Sequence, residues 1–139
     1  MKDLAIYGAG GFGREVFCYL RKMNQSEPKW NFIGFFDDGK EKGTKNEYGV
    51  ILGGLEELNN YGKEIDVVMA IGSPFYLEKI TSSIINPKVG FPNIITASNV
   101  ISDPDSLFMG HGNIIIGPCT FTCNIRLGNF NAWEGVGRT

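Results

Sequence analysis

Apolar and polar positions follow one rhythm up to about residue 95 and another after it. In the first stretch, short apolar runs alternate with segments apolar at helical spacing. Leu4, Ala5, Ile6 and Tyr7 run straight into glycines, which predicts a buried parallel strand feeding a tight turn. Val16, Phe17, Leu20 and Met23 then recur every three or four residues, predicting a helix over about Gly13–Met23 with a single apolar stripe. NFIGFFDD (31–38) reads as a second strand, with Ile33, Phe35 and Phe36 apolar and two carboxylates at its end. GKEKGTKNEYG (39–49) is polar and punctuated by glycine, hence a loop. VILGGLEEL (50–58) is an extended piece turning into a short helix near Gly54. DVVMAIGS (66–73) is the third and clearest strand. A helix follows over PFYLEKITSSI (74–84), with Pro74 at its start, where a missing N–H costs little. FPNIIT (91–96) closes the segment as another extended stretch.

This α/β alternation predicts a parallel sheet with right-handed crossovers, whose ligands sit beyond the carboxyl ends of the strands. Three polar clusters land there: Gly8–Arg14, Asp37–Asp38 and Gly72–Ser73. The first contains G-x-G-x-x-G, formed by Gly8, Gly10 and Gly13, between a strand and a helix. Gly8 and Gly10 allow the turn and close approach to phosphate oxygens, and Gly13 lets helix and strand pack tightly. The unpaired N–H groups at the helix start favour an anion. Asp37 or Asp38 suits a ribose hydroxyl of NAD, the ribose or base of another nucleotide, or simply a solvated turn before Gly39. Arg14 fits a phosphate contact or an exposed helix charge equally well. The loop says nucleotide without saying which.

After about Ser98 no amphipathic helix is visible. Met109, Ile115, Phe121, Leu127 and Trp133 are apolar and spaced six apart. IGPCTF (116–121) and LGNFNA (127–132) each open with an aliphatic residue and glycine. Such a beat marks a β-helix solenoid, with one residue per short face pointing into a narrow core and glycine or asparagine at the corners. The two aliphatic–glycine pairs are eleven apart rather than twelve, which places a register slip between them, and Asp103 interrupts the apolar series upstream.

Bulk properties narrow the partners. The chain has 139 residues, 13 Lys plus Arg against 15 Asp plus Glu, and a formal charge of −2, which gives no electrostatic footprint for nucleic acid or an anionic membrane. No apolar run approaches the roughly 20 residues of a spanning helix, and Met1 leads straight into the first strand, so a cytoplasmic protein is expected. Cys18 falls in a predicted helix, while Cys119 and Cys123 form an isolated Cys-x3-Cys beside a single histidine, His111. These are expected to be structural thiols with no metal.

An α/β phosphate-loop domain followed by hexapeptide repeats resembles the sugar acyltransferases of the sialic acid O-acetyltransferase and nucleotide-sugar N-acetyltransferase (PglD-like) family. The resemblance covers the whole chain and rests on IYGAGGFGREV (6–16), IGFFDD (33–38), GVILGGLEEL (49–58), VMAIGSP (68–74), FPNIITASNVIS (91–102) and the repeats. It implies a Rossmann-like sheet with flanking helices over 1–95, which binds the sugar or nucleotide sugar, and the first coils of a left-handed parallel β-helix over 96–139. It implies a homotrimer that holds acetyl-CoA, the acyl donor, in grooves between β-helices. A histidine there acts as general base toward the sugar amine or hydroxyl. Carried onto this chain, Gly8, Gly10, Gly11 and Gly13 form the phosphate loop with Phe12 and Arg14 beside it. Asp37 and Asp38 contact the nucleoside, and Gly72 and Ser73 line the same cleft. Relatives often carry His where this chain has Phe12, and Ile-His-Pro where it has Ile95, Thr96 and Ala97. Val100 to Thr139 leaves room for about two coils of roughly 18 residues. The chain is therefore expected to be truncated, with most of the acyl-donor site missing and the family's catalytic histidine, in a GHD-like motif, beyond residue 139. His111, in GHG, lies too early for that position, so no catalytic residue is assigned. The reading is a sugar or nucleotide-sugar acetyltransferase carrying its substrate-binding domain. The alternatives are an NAD(P)-binding oxidoreductase or redox sensor, which leaves the repeats unexplained, and a non-enzymatic nucleotide-sugar-binding module.

Overall fold

Strand β1 (Lys2–Tyr7) is buried from Asp3 to Tyr7 because it pairs on both edges and is covered on both faces. That environment explains its unbroken apolar run. The computed structural model describes residues 1–96, 99–121 and 125–134. These fall into two units, Met1–Gly90 and Phe91–Thr139.

In the first unit, β2 (Trp30–Phe36), β3 (Ile51–Gly53), β4 (Ile65–Met69) and β5 (Val89–Gly90) join β1 in a sheet of order β3-β2-β1-β4-β5. Every pairing in it is parallel. The chain runs outward from β1 to β3, then returns to β4 on the other side of β1. The order therefore reverses between β1 and β4, where α/β sheets open a binding crevice. Helix α1 (Gly11–Ser26) buries Gly13, Val16, Phe17 and Leu20, the stripe read from the sequence, and extends past the expected ends on both sides. Helix α2 (Leu55–Asn59) begins at Gly54, whose amide donates to Glu57 Oε1 at 2.6 Å. Helix α3 (Pro74–Ser83) starts at the expected proline but buries none of its residues.

FPNIIT does not continue this sheet. The last strand is the two-residue β5, too short to leave a periodic signal. Ile94 and Ile95 form β6 (Ile94–Ile95) and pair instead with Ile114 and Ile115 in the second unit.

The second unit is built of short parallel pairs. β6, β9 (Ile114–Ile116) and β12 (Ala132–Glu134) make one sheet. β7 (Val100–Ile101) pairs with β10 (Thr120–Phe121), and β8 (Phe108–Met109) with β11 (Arg126–Leu127). Ile94 lies beside Ile114, and Ile114 beside Ala132, so successive turns of 20 and 18 residues return alongside one another. Strands begin six residues apart at 94 and 100, and again at 108, 114, 120, 126 and 132. The single long step, from 100 to 108, holds the 3-10 turn Pro104–Ser106. This corrects the expected register slip between residues 116 and 127. The two aliphatic–glycine pairs occupy different places relative to their strands, and the extra residues lie upstream. Of the beat positions, Ile115 and Phe121 are buried, Met109 and Leu127 half-buried, and Trp133 is 49% exposed.

Asparagine precedes each strand of the β6–β9–β12 sheet. Asn113, fully buried, donates through Nδ2 to Asn93 Oδ1 at 3.1 Å and to the Gly128 carbonyl at 2.8 Å. Its Oδ1 accepts the Asn131 amide at 2.9 Å, and its own amide donates to Asn93 Oδ1 at 2.9 Å. Cys18 and Cys119 are free thiols, and Cys123 lies outside the described residues. Among the described residues no His, Cys, Asp or Glu cluster has metal-binding geometry, and no helix is long and apolar enough to cross a membrane.

Candidate functional site: the glycine loop at the crest of the sheet

The four loop glycines separate into two kinds. Gly8 leaves β1 with φ +109°, and a Cβ there would sit 2.4 Å from the Ala70 carbonyl oxygen beyond β4. At Gly13 a Cβ would lie 1.8 Å from the Gly8 carbonyl oxygen. Both are demanded by backbone packed against backbone. Gly10 and Gly11 face nothing within 4 Å, so the chain itself imposes no limit on size there. Gly10 caps α1 without any side-chain partner, and the first turn carries no acid. The helix thus presents Gly11, Phe12 and Gly13 amides outward with the positive end of its dipole.

Beside this helix start lies a cavity of about 430 Å³ lined by Gly10, Arg14 and the loop after β2, including Lys40, Glu41, Thr44 and Lys45. Arg14 is drawn to Glu47 at 3.2 Å, an exposed pair. Among the described residues no carboxylate comes within ion-pair distance of Lys40 or Lys45. The carboxylates at the end of β2 are bonded back to the chain, Asp37 half-buried and Asp38 exposed. Asp37 Oδ2 accepts the Ala9 amide at 2.8 Å, and its Oδ1 accepts the Gly39 amide at 2.9 Å. Asp38 Oδ1 accepts the Leu55 amide of α2 at 2.8 Å, while its Oδ2 accepts the Tyr7 hydroxyl. Burial, then the bond to Asp38, pushes the Tyr7 phenol well above its usual range.

Uncapped amides, open glycines and lysines without an ion-pair partner among the described residues are grouped at the carboxyl edge of a parallel sheet, a chemistry that suits an anion. Residues 3–84 match the family model of the PglD N-terminal domain. The chain belongs to the PglD N-terminal domain family. Among solved structures, it is similar to the acetyltransferase domain of PglB from Neisseria gonorrhoeae in complex with acetyl coenzyme A. There the TM-score is 0.73 and the identity 23%, over 94% of this chain and 60% of that one. It is also similar to a variant of perosamine N-acetyltransferase from Caulobacter crescentus in complex with CoA and GDP-perosamine. That match has a TM-score of 0.74 and 20% identity over 95% of this chain and 60% of that one. These likenesses establish a mixed α/β fold of parallel sheet and helices. The chain spans about 60% of the length of these structures. No curated protein sequence matches it.

Within this family frame, Gly8, Gly10, Gly11, Phe12, Gly13 and Arg14 all fall in the turn after β1 and the first turn of α1. Gly72 and Ser73 follow β4 across the switch point. Gly72 is exposed, and Ser73 caps α3 through a long 3.5 Å contact from the Tyr76 amide. Gly8 meets Ala70 and Ile71, so the turns after β1 and β4 touch. Lys40, Thr44 and Lys45 were not legible as site residues. They stand in an aperiodic polar loop whose path back over α1 only the fold defines. His111 is exposed, with its ring 5.9 Å from that of Phe91 and 5.2 Å from that of Phe130.

Proposed function

We propose that this chain binds a nucleotide-linked sugar by its diphosphate and serves as the substrate-binding part of an acetyl-CoA-dependent sugar N- or O-acetyltransferase. The observation that carries this reading is the open, uncapped glycine loop beside two unpaired lysines. The second unit adds to it, because its turns of 18–20 residues stack in parallel as the start of a left-handed β-helix would. The similar structures from Neisseria and Caulobacter, in complex with acetyl coenzyme A or with CoA and GDP-perosamine, support the same reading.

In this mechanism the amides of Gly11, Phe12 and Gly13, with Lys40 and Lys45, offset the diphosphate charge and fix the orientation of the nucleotide sugar that accepts the acetyl group. Gly72 and Ser73 border the side on which the sugar projects. The sugar amine or hydroxyl attacks the thioester carbonyl of acetyl-CoA, loses its proton to a general base, and releases the CoA thiol. No residue of this chain is assigned as that base, because the 139 residues contain no GHD-like motif. Acetyl-CoA lies between neighbouring β-helices of a trimer, and the site works in the cytoplasm.

Thermal melts with UDP-N-acetylglucosamine, GDP-mannose and NAD test the reading. A ligand at a hundred times its Kd adds about 2.7 kcal/mol, a Tm rise on the order of 10 °C for a domain this size. At least one nucleotide sugar is expected to produce such a rise and NAD none. Stabilisation by NAD alone would overturn it.

A further inference from the structure

In a dinucleotide-binding sheet, the acid at the end of the second strand holds the ribose hydroxyls. Here all four oxygens of Asp37 and Asp38 already accept hydrogen bonds from the chain. The arrangement is built for this. Glycine at 54 leaves the Asp38 carboxylate its place, since a Cβ there would stand 2.1 Å from Asp38 Oδ1. Asp38 is gripped from β1 by Tyr7 and from α2 by Leu55, which fixes the end of β2 from both sides. Asp37, next along, then reaches back 28 residues to the Ala9 amide, between Gly8 and Gly10.

We propose that Asp37 is a positioning residue: it ties the glycine loop into the shape that receives a diphosphate and does not contact the nucleoside. This rests on the reading of the loop as a diphosphate site. Gly8 and Gly10 are the two residues of the turn with the greatest backbone freedom. A bond to the single residue between them removes that freedom where it matters. It also leaves the amides from Gly11 onward to the ligand. The Asp37 charge acts in the opposite direction. A carboxylate beside an anion site repels the anion, so by Coulomb's law alone its removal strengthens binding. A tether predicts weakening.

The experiment is calorimetric titration of the full chain with inorganic pyrophosphate, UDP, GDP and the 2′,3′-dideoxy form of whichever nucleotide binds better. Wild type, Asp37→Ala and Asp37→Asn are compared, with a circular-dichroism melt of each to show that it folds. Asp37→Ala is expected to weaken pyrophosphate and nucleoside diphosphate by the same factor, about tenfold, the equivalent of one charge-assisted hydrogen bond. Asp37→Asn loses the same charge but keeps an acceptor oxygen for the Ala9 amide, so its loss is smaller. Should Asp37→Ala fail to fold, the comparison is read on Asp37→Asn, with the same equality required between ligands. The dideoxy nucleotide is expected to bind wild type as well as its parent. Pyrophosphate binding that is unchanged or tighter in the variants overturns the proposal. So does a loss confined to ligands carrying ribose hydroxyls. Wild type that binds none of these ligands removes the diphosphate reading itself.

Discussion

Asp3 occupies the most deeply buried strand, only 6% exposed, and still carries a charge. It accepts hydrogen bonds from the Tyr61 hydroxyl and from Asn31 Nδ2 at 3.3 Å, with Lys63 Nζ at 3.3 Å. The Tyr61 bond, foremost, holds its carboxyl below the usual range against the opposing effect of burial. Burial, then Asp3, pushes the Tyr61 phenol up to about 12. The pair therefore makes stability fall at both ends of the pH scale. The depressed carboxyl contributes stability above its ordinary pKa and loses it as pH falls through the lowered value. The raised phenol contributes below its ordinary 10.0 and loses it as pH rises from there through about 12. Urea midpoints against pH are expected to drop at both ends, and Tyr61→Phe to lessen the alkaline drop, leaving the part that the raised Tyr7 phenol contributes. Absorbance at tyrosinate wavelengths should show one fewer late-titrating phenol in the variant than in wild type, with that of Tyr7 retained. Nothing in the sequence marks this pair: Asp3 reads as an ordinary strand-end acid, and Tyr61 lies 58 residues away.

At the scale of elements, the contact between β1 and α1 depends on two glycines with opposite sensitivities. Gly13→Ala forces a Cβ to 1.8 Å from the Gly8 carbonyl oxygen, backbone that cannot swing aside. A loss of about 1–3 kcal/mol is expected, read as a lower urea midpoint. Gly10→Ala meets nothing within 4 Å and should cost under about 1 kcal/mol, while weakening whichever nucleotide sugar stabilises wild type. A destabilised Gly10→Ala or an untouched Gly13→Ala would contradict this division. The G-x-G-x-x-G motif, its strand and its helix were legible because each is local. The motif could not say which glycine answers to the fold and which to a ligand. That depends on the Ala70 carbonyl, 62 positions beyond Gly8 in the chain. Helix α3 shows the converse: its proline start was legible, yet Phe75 is 70% and Tyr76 56% exposed.

For the whole molecule, the two units hold together by different means. The first buries apolar strands under helices. The second repeats a short turn, and Asn113 links three successive turns through Asn93, Gly128 and Asn131. Asn113→Ala strands their donors and acceptors in a fully buried position. The expected loss is on the order of 2–3 kcal/mol, seen as faster amide exchange across residues 93–96 and 113–116, with the glycine-loop domain unchanged. Protection that stays equal in both units would show that the asparagines are incidental.

The order of strands and helices from β1 to α3, the apolar stripe of α1 and the six-residue beat were all written in the chain. Periodicity is a property of neighbours, and burial imposes it residue by residue. Tertiary structure alone decided where the beat lengthens, where the first sheet ends, and that Lys40 and Lys45 face a cavity beside α1. It also decided that the oxygens of Asp37 and Asp38 accept hydrogen bonds from distant parts of the chain. These outcomes turn on hydrogen bonds and backbone contacts between distant segments, whose partners are chosen by proximity after folding rather than by any local pattern.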